Sequence, residues 1–312
     1  PNIGDARYLA YSWEERDLSV TIFTFIYSFH MPFFVFISGY FSKNMTWEKF
    51  GKGFLSLIVS YFIFQFLTYV PSIIEGKFDF SEFLFWPFAH LWYIICLILW
   101  RFTFCIVPKL QIKPALLLLL SVFIGLSISF IPVSLPYTIV RYFTFMPFFI
   151  MGVYCTKDVI DKIRSINKLY GWAVIIIAAI FIWFTADYLV SSVFLLFPYN
   201  LIGSDNVLLG LFKRIILYGL AITLSVAVMN VATTRFAKWG SGTMAIYLLH
   251  MPFIFLYKLV LTPELGLTPT IWGDLIAFIV IFAICLWLSK QNFIQYIVDP
   301  VTAYRKKHQN RS

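Results

Sequence analysis

The sequence predicts an all-α fold, a polytopic bundle of transmembrane helices with nine spans. Two observations on composition support this class. Of the 312 residues, 61% are hydrophobic and only 12% are charged, whereas soluble domains contain about 25% charged residues, and the mean hydropathy is +0.84. The third observation is a succession of apolar runs, most of them close to the roughly 20 residues that a spanning helix needs.

The apolar runs define the elements in order. We predict helical spans at residues 18–41, 54–71, 90–107, 114–131, 137–155, 169–190, 207–230, 243–262 and 272–289. Residues that interrupt regular structure mark most of the joins, among them Pro71, Pro108, Pro132, Gly240 and Pro263. Because no low-complexity linker separates the runs, we predict a single integral-membrane domain over residues 1–312.

Lysine and arginine are distributed unequally between alternate loops, which predicts the orientation. One set of loops and the C-terminal tail contain Lys43, Lys49, Lys52, Lys109, Lys113, Lys157, Lys162, Arg164, Lys168, Arg235, Lys238, Lys290, Arg305, Lys306, Lys307 and Arg311. The alternate set contains Arg7, Arg16 and Lys77. Because positively charged loops stay in the cytoplasm, we expect a cytoplasmic C-terminus. The net charge of +9 follows this topology, so we expect no nucleic-acid partner.

An odd number of spans places the polar segment 1–17 on the outer side. Two explanations remain. A further helix upstream of Pro1 would give ten spans in the full-length protein, with both ends cytoplasmic. Alternatively, a nine-span protein exports a short N-terminal tail. We favour the first explanation, because nothing in the sequence carries the charged segment across the membrane.

The first span contains the most informative motif. His30 lies near the middle of residues 18–41 and is followed by Pro32 and by the small pair Ser38 and Gly39. An ionisable side chain at membrane depth is costly and is by default a sign of function. A proline inside a helix also leaves a backbone carbonyl without its usual partner. The alternative is a structural histidine that joins two helices through a hydrogen bond.

Other histidines and several cations also lie within predicted spans. His90 and His250 allow the same two interpretations as His30. The long side chains of the cations either extend to the lipid headgroups or face the protein and bind an anion. These cations are Arg101, Arg141, Lys213, Arg214 and Lys258.

Several kinds of site lack their motifs. No spacing of histidine, cysteine and acidic residues fits a metal centre, so we expect no metal. A glycine-rich phosphate loop and a Gly-x-Ser-x-Gly elbow are also missing. The carboxylates of Asp187 and Asp274 lie near the outer ends of their spans. This argues against a proton-coupled transporter, which usually places a carboxylate at depth.

Four motifs occur in a defined order. Residues 28–40 read SFHMPFFVFISGY, residues 90–93 read HLWY, residues 141–152 contain RYF and MPFFIMG, and residues 240–250 read GSGTMAIYLLH. Together they resemble the acyltransferase-3 family of integral-membrane acyltransferases, in the branch of the fucose O-acetylases. The first motif is the most specific, and it is similar to the signature of the second helix of that branch.

The resemblance implies about ten spans, with a catalytic histidine on a first helix that is absent from this chain. It also implies transfer of an acyl group, commonly acetyl from acetyl-CoA, to a sugar hydroxyl of a cell-surface glycan or its lipid-linked precursor. His30 would then be the catalytic base, or the residue that orients the histidine of the absent helix. We expect substrate or cofactor contacts from Ser38, His90, Trp92, Arg141, Lys213, Arg214 and His250, and an approach for CoA along Lys43, Lys49 and Lys52.

A glycan or lipid transporter, or a flippase, is the alternative function, because many spans, an interrupted helix and buried cations are typical of that class too. A structural membrane protein without activity would leave His30 unexplained. We therefore expect an O-acyltransferase of a bacterial cytoplasmic membrane. Its expected partners are an acyl-CoA donor, a sugar or glycan acceptor and membrane lipid.

Overall fold

The computed structural model describes residues 18–74, 76–131, 136–202, 206–235, 240, 242–257, 271–299 and 301. Every regular element in these ranges is a helix, which confirms the all-α class. The predicted outer segment 1–17, Lys238, Lys258, the end of the predicted span 243–262 and the tail after residue 301 lie outside the described residues.

The helices of the described ranges follow one another with short connections. In chain order they are α1 (Leu18–Phe41), α2 (Trp47–Ile74), α3 (Phe80–Phe85), α4 (Trp92–Ile106), α5 (Pro114–Ser127), α6 (Tyr137–Tyr154), α7 (Lys157–Ser165), α8 (Lys168–Leu189), α9 (Tyr199–Ile202), α10 (Val207–Val231), α11 (Thr243–Phe255), α12 (Ile271–Leu288) and α13 (Asn292–Val298). Each predicted span therefore corresponds to a helix, although the bounds differ.

The described part of the chain contains fewer long apolar helices than the nine spans that the sequence predicts. Five helices of the described chain are long and apolar enough to cross a membrane, and the number reaches seven if two bent pairs each count as one span. The pairs are α6 with α7, bent by 93°, and α12 with α13, bent by 97°. The remaining apolar helices, Pro114–Phe130 and Thr243–Phe255, are shorter. The prediction of nine spans is thus not confirmed.

The surface of the helices suits a lipid environment. Large apolar side chains are widely exposed, including Phe123 at 69%, Leu208 at 75% and Trp272 at 73%. A soluble protein rarely exposes extended apolar surface, whereas lipid-facing helices must do so. Together with the long apolar helices, this surface identifies an integral membrane protein.

The chain divides into two compact units. Unit 1 comprises Pro1–Asn44 and Val107–Ala232, and unit 2 comprises Met45–Ile106 and Thr233–Ser312. In unit 1, α1 packs along α6, α8 along α10, and α5 along α6. In unit 2, α2 packs along α4 and α11 along α12. The core of unit 2 includes Phe64, Leu91, Ile94 and Leu248.

Candidate functional site

The first group of candidate residues, which we name the His30 cluster, comprises Tyr27, His30 and Arg141 of unit 1. The rings of Tyr27 and His30 meet edge to face, with centroids 4.5 Å apart. Tyr27 also contacts the ring of Phe194 at 5.4 Å. Arg141 lies within electrostatic range of the Tyr27 hydroxyl. His30 therefore contacts Tyr27, and the charge of Arg141 acts on the same tyrosine.

One hydrogen bond determines the protonation pattern of the His30 ring. Its Nδ1 lies 2.9 Å from the carbonyl oxygen of Ile26, one turn earlier in α1. A carbonyl only accepts, so the neutral ring carries its hydrogen on Nδ1 and its lone pair on Nε2. A lone pair on Nε2 is what a general base needs.

Ser38 is bonded within its own helix. Its hydroxyl donates to the carbonyl of Phe34 at 2.9 Å. Helix α1 continues through Pro32 without a break, so the proline does not divide the span into two helices. The predicted contact of Ser38 with substrate stays a prediction.

The predicted anion-binding pair, Lys213 and Arg214, is buried in unit 1 and bound to backbone carbonyls. Lys213 Nζ donates to the carbonyl of Ile202 at 2.7 Å. Arg214 donates through Nη1 to Leu195 at 3.2 Å and through Nη2 to Phe197 at 3.0 Å. Both cations therefore anchor the connection between α8 and α10. Their predicted role in binding an anion stays a prediction.

The anchored connection contains a strained residue. Leu195 has φ of +54° and is buried, a conformation that non-glycine residues rarely adopt. Its carbonyl also accepts a hydrogen bond from Thr144 Oγ1 at 3.0 Å. Strain of this kind persists only where the surrounding contacts fix it, and Arg214 with Thr144 supplies those contacts.

The second group, which we name the His90 cluster, comprises His90, Tyr93, Tyr247 and His250 of unit 2. The rings of His90 and His250 meet at 5.1 Å, and Tyr247 lies 5.1 Å from His90. Tyr93 completes the group, with its ring 5.3 Å from that of Tyr247. Two predicted site residues from distant parts of the sequence thus form one cluster.

Hydrogen bonds to backbone hold three members of the His90 cluster. Tyr247 donates its hydroxyl hydrogen to the carbonyl of His90. The Nδ1 of His250 lies 3.1 Å from the carbonyl of Ile246, so its neutral ring has the same tautomer as that of His30. The predicted site residue Trp92 is buried beside this cluster, with its ring 6.2 Å from that of Tyr93.

Gln65, which holds the segment that leads to His90, was not predicted from the sequence. The fully buried Gln65 of α2 donates from Nε2 to the carbonyls of Phe83 and Trp86, both at 2.9 Å. Its Oε1 accepts from the N–H of Phe88 at 2.9 Å. The signal was available, because a carboxamide inside an apolar span is costly unless it is bonded.

The comparison with known families identifies the class of protein. A family model described as an acyltransferase domain matches residues 6–290 of this integral membrane protein, a range that includes the partly buried His30, His90 and His250. The chain belongs to the acyltransferase-3 family and is a membrane acyltransferase. The family predicted from the four motifs is thus confirmed. Comparison with curated proteins and with solved structures gave no significant match.

Proposed function

We propose that this protein is a membrane-bound O-acetyltransferase. It moves an acetyl group from acetyl-CoA to a hydroxyl of a cell-surface glycan or its lipid-linked precursor, in a bacterial cytoplasmic membrane with the C-terminus on the cytoplasmic side. The family supports acyl transfer. The branch indicated by residues 28–40 supports acetyl-CoA as donor and a sugar as acceptor.

The observation that carries the proposal is the bond between His30 Nδ1 and the carbonyl of Ile26 at 2.9 Å. It leaves the basic lone pair on Nε2 of an imidazole whose pKa in water lies near neutral pH. We assign the role of general base to this nitrogen. The positive charge of Arg141, at the same tyrosine, favours the negative charge that develops in the transition state.

The reaction balances without another reactant. Nε2 of His30 takes the proton of the acceptor hydroxyl while the hydroxyl oxygen attacks the thioester carbonyl carbon. The carbon–sulfur bond then breaks, and the sulfur of CoA takes the proton back from the imidazolium. The products are the acetyl ester and free CoA, and the imidazole returns to its neutral form.

The donor needs a positively charged approach for its phosphates. The loop after α1 and the start of α2 contain Lys43, Lys49 and Lys52, which we propose for this role. Lys43 donates to the carbonyl of Cys155, and Lys52 pairs with Glu48. Lys213 and Arg214 we retain as candidates for an anion on the acceptor side.

The test is acetyl transfer in membrane vesicles that contain the protein, with radiolabelled acetyl-CoA. His30→Gln keeps a polar side chain but loses the basic nitrogen. We expect transfer to the glycan and lipid fractions to fall about 10²- to 10⁴-fold, the usual contribution of a general base. The matched control is Thr185→Val, because Thr185 also donates to the carbonyl four residues earlier, that of Phe181, in the same unit.

Two results would contradict the proposal. Wild-type transfer by His30→Gln would remove the histidine from the chemistry. Vesicles that translocate a glycolipid but never consume acetyl-CoA would favour the transporter instead.

A further inference from the structure

Helix α7 of unit 1 runs in a different direction from the apolar helix before it. It is bent by 93° from α6, and the candidate span α8 begins at Lys168, directly after the short turn that ends α7. Near the start of α8 the rings of Tyr170 and Trp172 are exposed, and such rings are enriched at the membrane–water interface. A helix at this depth and in this direction lies in the plane of the interface.

The side chains of α7 are sorted by polarity around the helix axis. With about 3.6 residues per turn, the apolar residues Val159, Ile160 and Ile163 share one face. Ile160 and Ile163 are partly buried, whereas Val159 is exposed. Asp158 and Asp161 lie on the opposite face. This arrangement is typical of a helix that turns one face to the membrane boundary and the other to water.

Three cations line the two edges of this apolar face. Lys157 and Arg164 lie on one edge, and Lys162 lies on the other. All three residues are exposed, and none of them forms an ion pair with a described residue. From such positions the charged groups extend to lipid phosphates while their aliphatic parts cover apolar surface.

The backbone of α7 is held at both ends. Thr156 caps the start of the helix by accepting from the N–H of Val159. At the other end, Asn230 of α10 donates to the carbonyls of Ile163 and Ile166. The helix therefore presents its three cations in a preformed arrangement, which reduces the entropy that is lost when a ligand binds.

We propose that α7 lies on the membrane surface and binds the headgroups of anionic phospholipids through Lys157, Lys162 and Arg164. Charge complementarity selects this occupant, because the three cations lie at the level of the lipid phosphates. A zwitterionic headgroup balances its phosphate with its own ammonium group, whereas an anionic headgroup does not. The sequence also predicts that this loop is cytoplasmic, and the cytoplasmic leaflet carries anionic lipids.

The test compares amide hydrogen exchange over residues 157–166 of the protein in two kinds of lipid nanodisc. One kind contains phosphatidylcholine alone, and the other contains phosphatidylglycerol as well. We expect exchange to be about fivefold slower or more in the anionic discs, because each basic residue near an anionic surface contributes a factor of about five. High salt should remove the difference, because it screens exposed charges.

The double variant Lys162→Gln, Arg164→Gln removes one cation from each edge of the apolar face. Glutamine has a helix propensity close to that of lysine and arginine, so α7 should still form, but the difference in exchange between the two discs should largely disappear. The matched control is Lys109→Gln, Lys113→Gln, which removes the same charge from exposed positions between α4 and α5. This control should keep the difference of the wild-type protein.

Three outcomes would overturn the proposal. Equal exchange of wild-type α7 in the two discs would show that anionic lipid does not bind there. Equal loss of the difference in both double variants would assign the effect to net charge rather than to α7. Inorganic phosphate that slows exchange in the phosphatidylcholine discs as much as phosphatidylglycerol does would assign the cations to a soluble anion. Lipid binding by α7 does not depend on acetyl transfer, so each of these outcomes leaves the proposed function untouched.

Discussion

Gly39 of α1 and Gly152 of α6 lie against each other where the two helices cross. A Cβ atom on Gly39 would lie 3.2 Å from the Cα of Gly152 and would overlap the carbonyl group of Phe149. A Cβ atom on Gly152 would overlap the carbonyl group of Phe36. Small residues allow membrane helices to pack backbone to backbone. Both glycines belong to motifs that carry the family resemblance, so these motifs specify a helix crossing as well as chemistry.

We predict that Gly152→Ala destabilises unit 1, because the added methyl group meets backbone atoms that cannot move aside. The expected loss is about 1–3 kcal/mol, the usual cost of overpacking. The control is Gly219→Ala in α10, where an added Cβ meets no atom within 4 Å. That variant should gain up to about 1 kcal/mol from helix propensity. Thermal unfolding in detergent measures both, and equal unfolding temperatures would contradict the close crossing.

Hydropathy predicted where the long helices lie but not where they begin and end. Helix α2 begins at Trp47 rather than at residue 54, because its first turns carry Glu48, Lys49 and Lys52. Hydropathy detects the apolar part of a helix that contacts lipid. Charged turns at the end of the helix continue the same backbone hydrogen bonds, but hydropathy does not detect them. The short amphipathic helix α7, capped by Thr156 through the N–H of Val159, was missed for the same reason.

The predicted count of nine spans is not confirmed for a different physical reason. A run of apolar residues does not reveal whether the helix within it is long enough to cross. The run predicted at 114–131 forms an α-helix only over Pro114–Ser127 and then tightens into a single 3₁₀ turn over Ile128–Phe130. Local backbone geometry of this kind depends on tertiary packing. The mean hydropathy of a window of residues does not contain this information.

The histidines could be identified from sequence, because an ionisable ring in an apolar run is conspicuous. The pairing of His90 with His250 could not, since it depends on how the 3₁₀ turn Ala89–Leu91, which precedes α4, packs against α11 in unit 2. The role of Gln65 was equally hidden, because its partners are backbone atoms of a connection that has no motif. Residue type therefore marks candidate side chains in apolar runs, whereas the partners that each of them binds follow only from coordinates.

We predict that Arg214→Met loosens the connection between α8 and α10. The substitution removes the donors to the carbonyls of Leu195 and Phe197, so that the carbonyl of the strained Leu195 keeps the bond from Thr144. Hydrogen bonds from charged groups contribute about 1.5–3 kcal/mol each, so amide exchange over residues 193–202 should accelerate about tenfold or more.

Hydrogen–deuterium exchange with mass spectrometry measures this effect, and Lys162→Met is the control. Lys162 is an exposed cation of α7 in the same unit, so its loss should leave exchange over residues 193–202 unchanged. Unchanged exchange in Arg214→Met as well would show that Thr144 suffices to hold the loop. The anchoring role assigned to the guanidinium would then be wrong.

Asn230 holds the connection between α7 and α8 of unit 1 through backbone carbonyls. Gln65 holds the segment after α3 in unit 2 in the same way. Its buried Nδ2 donates to the carbonyls of Ile163 at 2.7 Å and Ile166 at 2.9 Å, next to the turn between α7 and α8. Lys168 donates to the backbone carbonyls of Asn230 and Arg164. The ammonium group of Lys168 is therefore already hydrogen-bonded to backbone oxygens.

We predict that Asn230→Asp lowers the free energy of unfolding by about 3 kcal/mol, because a carboxylate cannot donate and would place a buried negative charge against two carbonyl oxygens. The same substitution at Asn206 should be neutral or slightly stabilising. There the side-chain oxygen accepts from the N–H of Leu209 at the start of α10, a bond that aspartate keeps and that the helix dipole favours by about 0.5 kcal/mol. Chemical or thermal unfolding compares the two variants. Equal changes in the free energy of unfolding at the two sites would mean that the donors of Asn230 do not stabilise the connection between α7 and α8.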